Sequence, residues 1–117
     1  MEEKNFLIDN LIKKIDEIYI IISQCNIEVA YIELKDTIPK INAIFTELID
    51  VIIKLKNLGV EVSEEVVIQQ LKNLREAYEY KDSMLLADTL RYELKDTLIF
   101  YLEIIQELEK ALTENQV

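Results

Sequence analysis

The chain has 117 residues, half of them hydrophobic, with 13 Lys+Arg against 23 Asp+Glu and a formal charge of −10. This composition fits one globular domain over residues 1–117, and an acidic field of this size opposes phosphate backbones and anionic lipid, so neither nucleic acid nor membrane is an expected partner. With no His, one Gly and one Pro, the chain has no His phosphorelay, no Glu-x-x-His di-iron site, little scope for zinc chemistry and no glycine-rich phosphate cradle.

The first element shows in apolar residues at steps of three and four: Ile8, Leu11, Ile15, Ile18, Ile22 and Cys25. That spacing puts them on one helical face. Carrying the phase forward lands on Asp36, Pro39, Thr46 and Asp50, which are poor core residues, so a turn is expected at Gln24-Cys25-Asn26. A second phase runs Ile27, Tyr31, Leu34, Ile38, Ile41, Phe45, Leu48, Ile52 and Leu55. It predicts a helix over about 27–57, kinked or broken at Pro39, which lacks a backbone donor and crowds the preceding turn. Under the broken alternative, Asp36 or Thr37 caps a new helix with Pro39 in its first turn.

Gly59 is the expected stop of this helix and Ser63 the N-cap of the next. Glu64 and Glu65 lie at its positive end, and Val62 and Val67 have staple spacing. The third helix carries Val67, Leu71, Leu74 and Tyr78 inward. A turn at Tyr80-Lys81, with Asp82 as cap, leads to a fourth phase of Leu90, Leu94, Leu98, Tyr101, Ile105, Leu108 and Leu112. Residues Glu114 to Val117 are expected to fray. Four amphipathic segments with short connections predict an all-α, up-down-up-down four-helix bundle.

Helices two and four, at about 45 Å each, are expected to overhang a third helix of about 27 Å. Ile20, Ile21, Ile32, Ile49, Ile53, Ile99, Phe100 and Ile104 lie outside the seams. They are expected to complete the monomer's core, or else to form a homodimer or partner-binding face. Ile49, Ile52 and Ile53 on helix two, with Phe100, Tyr101, Ile104 and Ile105 on helix four, are the residues through which a homodimer is expected.

The chain opens Met1-Glu2-Glu3-Lys4, unlike a signal peptide, and its longest early apolar run, Ile18 to Ile22, is far too short for a membrane span. A single thiol, Cys25, makes no internal disulfide and, at a helix end, is expected to be a small packed residue rather than a nucleophile. A cytoplasmic protein is expected. The abundance of Ile, Lys, Asn and Glu suits an AT-rich bacterial genome.

The most distinctive stretch is Leu86-Ala87-Asp88-Thr89-Leu90-Arg91-Tyr92-Glu93-Leu94, which gathers polar residues in an otherwise apolar helix. Asp88 and Tyr92 share a face, and Asp88 and Arg91 are spaced to pair. One reading is a polar pocket or interaction site made of Tyr78, Tyr80, Asp88, Tyr92 and Glu93. The other is a hydrogen-bonding network that fixes the hairpin. Asp82 followed by this Leu-Ala-Asp-x-Leu-x-Tyr-Glu run resembles an uncharacterised family of small all-helical proteins of low-GC Gram-positive bacteria. The resemblance extends through the hairpin containing Pro39, implies a bundle, and carries no activity.

A second resemblance is to the all-α nucleotide pyrophosphohydrolases of the MazG type, which hold Mg²⁺ through Glu-x-x-Glu and Glu-x-x-Asp on successive helices. Glu76-x-x-Glu79 and Glu93-x-x-Asp96 have that form. With a reversal at Lys81, however, Glu93 lies opposite about Gln69, roughly 10 Å from the first pair. The other alignment gives Leu85-x-x-Asp88, one carboxylate short. No catalytic residue, metal ligand or cofactor site is therefore expected, and the chain is read as a non-enzymatic adaptor or chaperone-like bundle. The flagellar export chaperones are similar in size, class and charge, without a shared motif.

Overall fold

Every three-four apolar phase becomes a helix. The computed structural model describes residues 2–115, in which α1 spans Glu2–Ser23, α2 Ile27–Asn57, α3 Glu64–Glu79, α4 Ser83–Asp88 and α5 Lys95–Asn115. A six-residue π segment, Thr89–Leu94, joins α4 to α5. Backbone angles stay helical at Asp88, Thr89 and Lys95, so the last three pieces form one rod. There is no strand among the described residues, and the expected all-α bundle is what folds. The fraying expected at Glu114 to Val117 falls partly on Gln116 and Val117, which lie outside the described residues, while the α5 backbone stays helical through Asn115.

One core draws on all of these elements. Ile8, Leu11, Ile15, Ile18 and Ile22 of α1 meet Leu34, Ile41, Phe45, Leu48 and Ile52 of α2, Val67 and Leu74 of α3, and Leu86, Leu90, Leu94, Leu98, Tyr101 and Ile105 of the last rod. Helices adjacent in sequence pack together, and α1 closes the set against the π segment and α5. Polar pairs trace the register. Lys4 with Glu47 and Lys14 with Glu33 tie α1 to α2. Asn73 with Glu93 and Gln70 with Thr97 tie α3 to the last rod, and Asp16 with Lys95 ties α1 to α5. Between α1 and α2, and between α3 and the last rod, the residue numbers of successive pairs run in opposite directions. These ion pairs are solvent-accessible and each contributes well under about 1 kcal/mol.

The helix holding Pro39 is not broken: α2 runs unbroken over 31 residues with Pro39 inside it. Pro39 lies on the exposed face, as does Lys35, whose carbonyl lacks the i+4 donor that the ring replaces. Thr37, considered above as a cap, is instead buried at mid-helix and donates its hydroxyl to the Glu33 carbonyl at 2.8 Å.

All three turns use one device. Asn26 N–H bonds the Ile21 carbonyl and Cys25 N–H that of Ile22. Val60 repeats the pattern on Leu55 and Gly59 on Lys56, and Asp82 on Ala77 and Lys81 on Tyr78. Each is a Schellman closure, which needs a left-handed residue after the helix. Those residues are Cys25 (φ 62°), Gly59 (φ 91°) and Lys81 (φ 53°). Only one of them is glycine, so two turns sit where composition alone does not announce them. Cys25 is thus exposed and outside the α1 seam, contrary to the packed position expected. Replacing Cys25 or Lys81 with glycine removes a left-handed strain of about 1–2 kcal/mol, offset in part by glycine's entropy. Each substitution is expected to stabilise by about 0.5–1 kcal/mol, read as a higher urea midpoint at unchanged slope. A lower midpoint in both would refute this account of the turns.

The π segment follows from the spacing of the buried leucines. Leu86, Leu90, Leu94 and Leu98 are four apart throughout. In an α-helix each such step advances the stripe by about 40°, and three steps carry it away from the core. A wider turn closed by i→i+5 bonds takes up one extra residue and returns the stripe to its face. Within that turn Thr89 is fully buried, and its hydroxyl has no hydrogen-bond partner among the described residues. An orphaned buried hydroxyl costs about 1–3 kcal/mol, and valine has the same shape without it. Thr89→Val is therefore expected to stabilise by about 1 kcal/mol in chemical denaturation; destabilisation would mean that the hydroxyl is bonded.

Burial departs from expectation outside the seams. Ile21, Ile49 and Ile104 pack on the core, whereas Ile20, Ile32, Ile53, Ile99 and Phe100 are exposed. Leu108 and Leu112, expected inward, are also exposed, at 42% and 52%. Lys4 of α1 neighbours Tyr101, so the end of α5 runs past the start of α1 and has no α1 residue to cover it.

Candidate functional site

The five residues of the expected polar pocket fall in separate neighbourhoods. Tyr78 turns from α3 toward α2, where its ring lies 5.6 Å from that of Tyr31. Tyr80, in the turn after α3, is 79% exposed. Asp88 borders a shallow concavity with Tyr19, Cys25 and Met84. Tyr92 is exposed and has the Arg91 guanidinium 5.5 Å from its ring, while Arg91 also lies 4.7 Å over Tyr19 of α1. Glu93 accepts a hydrogen bond from Asn73 at 3.0 Å. The contacts of Arg91 and Glu93 thus tie the π segment to α1 on one side and to α3 on the other.

The register between α3 and the last rod differs from the simple hairpin count. Glu93 stands opposite Asn73, a turn from Gln69, because the capping turn at Lys81 and the extra residue of the π segment both lengthen the path. Among the described residues no three Asp, Glu or Cys side chains come together as a metal-holding group.

The most extensive concavity lies between α2 and α3. Two hollows of about 440 and 650 Å³ share Tyr78 and Glu79 and so form one groove. From α2 it takes Tyr31, Lys35, Ile38 and Asn42; from α3 it takes Ile68, Lys72, Arg75 and Glu79. Both sets follow a four-three-four spacing, so each is a continuous stripe beside its helix's core seam. Leu71 and the Tyr31–Tyr78 pair give the groove an apolar floor, and Ile32 and Ile68 stay exposed at its edge. Lys35, Lys72, Arg75 and Lys81 border it, and none of the four is in an ion pair among the described residues. The Tyr31 hydroxyl has no hydrogen-bond partner there either. Burial, helped by the nearby Asp82 and Tyr78, pushes its pKa above the usual tyrosine value, so it remains a proton donor.

Of the residues at this groove, the sequence points to Tyr78 as a site residue and to Ile32 as part of a candidate partner-binding face, but not to Lys35, Lys72 or Arg75, although the signal is present. Ile68, Lys72 and Arg75 form an apolar-to-basic stripe next to Leu71 and Leu74, which is what a seam-flanking face that meets something outside the monomer looks like. A smaller hollow lies at the far end between α2 and α5, where Leu55, Phe100, Ile104 and Leu108 are rimmed by Glu103 and Glu107. No helix of the described chain is long and apolar enough to cross a membrane.

No protein-family model, curated protein or solved structure matches the chain.

Proposed function

We propose that the chain is a non-enzymatic protein-interaction module of the cytoplasm, an adaptor or chaperone-like bundle that seats a helix from another protein. The observation that carries this reading is the α2–α3 groove, an apolar-floored channel at the junction of two helices with isoleucines left exposed along it. Amphipathic helices lay their apolar face into grooves of this kind. Selection from a display library of helical peptides is expected to enrich sequences with apolar residues at i, i+3, i+4 and i+7 that no longer bind an Ile32→Ser/Ile68→Ser variant. The competing reading, a MazG-like pyrophosphohydrolase using Mg²⁺, predicts pyrophosphate release when the protein is incubated with Mg²⁺ or Mn²⁺ and a nucleotide panel. Such release, with no peptide enrichment, would replace the interaction reading.

A homodimer is a second reading, favoured by the exposed Ile53, Phe100, Leu108 and Leu112 near the uncovered end of α5. Ile52, Tyr101 and Ile105, also expected to take part, are already buried within the chain and are not available to it. Light scattering at tens of micromolar decides the matter, and a mass of one chain at every concentration would remove it.

A further inference from the structure

We propose that the partner seated in the α2–α3 groove is an acidic amphipathic helix; this rests on the interaction reading above and names the chemistry of the occupant.

The charge pattern is the ground for it. The molecule carries a formal −10, yet its largest groove is bordered by four cations, Lys35, Lys72, Arg75 and Lys81, against two acids, Glu28 and Glu79. The groove is therefore a cationic strip on an anionic body. Its cations have no ion-pair partner among the described residues. A helix with carboxylates flanking an apolar stripe would pair with that rim and cover Ile38, Ile68 and Leu71 at once. From Tyr31 to Asn42 the groove is about 16 Å long, so it accommodates roughly three helical turns. A polyanion would also be drawn to the rim, but it would meet the repulsion of the surrounding negative field over its whole length. A short acidic helix brings few charges and places them against the rim.

The test uses a fluorescein-labelled peptide with leucines on one helical face and glutamates beside them, together with the same peptide carrying lysines for glutamates. In fluorescence anisotropy the full chain is expected to bind the acidic peptide at least about tenfold more tightly than the basic one, and more weakly as salt rises from about 50 to 500 mM. Lys72→Glu/Arg75→Glu, whose side chains are exposed, is expected to weaken acidic-peptide binding at least about tenfold with an unchanged circular-dichroism spectrum. Equal binding of the basic peptide, or an unchanged affinity in the double variant, overturns the acidic partner while leaving the interaction reading in place. Binding of neither peptide overturns both. Binding instead to phosphatidylserine vesicles or to a single-stranded oligonucleotide, lost in the same variant, replaces the helix with those partners. Higher-mass species in light scattering that the variant dissolves make the occupant a second copy of this chain, which equally ends the proposal.

Discussion

A chain lacking Tyr92 is expected to fold, and a chain lacking Glu17 is not. Both residues are exposed and each sits inside a helical rod, so the difference comes from the geometry around them. Without one residue between Leu90 and Leu94, the buried stripe of the last rod steps four, three, four, three, four from Leu86 to Ile105, which is the spacing a plain α-helix keeps on one face. The π segment then has nothing to absorb and reverts to α-helix, with Leu94 and the residues beyond it close to their present places. Deleting Glu17 from the regular α1 turns Ile8, Leu11 and Ile15 by about 100° away from Ile18 and Ile22. Exposing three such side chains forgoes about 1.5–3 kcal/mol each, a sum comparable to the about 5–15 kcal/mol that holds a domain folded. Circular dichroism with thermal melting separates the outcomes. Cooperative melting of the chain lacking Tyr92 near the parent temperature is expected, beside loss of cooperativity in the chain lacking Glu17. Equal damage from both deletions would remove the account of the π segment as one accommodated residue.

Phe45→Ala is expected to be the most damaging single core truncation. Phe45 heads the fully buried side chains by volume and lies in the middle of α2, the longest helix, with no exposed surface. Phenylalanine-to-alanine changes in cores cost about 3–5 kcal/mol through lost transfer energy and the residual cavity. In a domain of this size that lowers the melting temperature by roughly 10–20 °C. Calorimetry checks it, and a fall of only a few degrees would mean that the surrounding helices collapse into the space. Pro39, six residues away on the exposed face of the same helix, has no such role in filling the core.

The four helical rods were legible because their buried residues recur at three and four, and burial is the physical quantity that pattern records. Asp82 was legible as a cap for a related reason: its carboxylate accepts the Leu85 N–H at 3.1 Å, the local bond that the residue type at that position offers. Ser63 marked the start of α3 correctly, yet its side chain makes no capping hydrogen bond, so the boundary was readable while its chemistry was not. The π segment was hidden because Leu86, Leu90 and Leu94 at steps of four read as an ordinary, slightly drifting helix. Recognising the wider turn requires knowing that the drift is not tolerated by what packs on it. The candidate polar cluster failed to converge for a similar reason. Tyr78 faces α2 and Glu93 faces Asn73, and only the packing of the helices decides that. The groove residues Lys72 and Arg75 sit beside the seam rather than in it, where periodicity alone assigns solvent.

The three short Schellman turns also bear on how quickly this chain reaches its native state. Each reverses the backbone within a few residues and lays a helix against the one just before it, so most of the native pairings are sequence neighbours. Little loop entropy is lost before those pairings form, and topologies of this kind fold in microseconds to milliseconds. The exception is the closure of α1 on α5, where Asp16 meets Lys95 across 79 residues of sequence. That long-range closure is expected to come last: two hairpins form on their own timescale, and their meeting along the edge between α1 and the last rod is the most topologically demanding step.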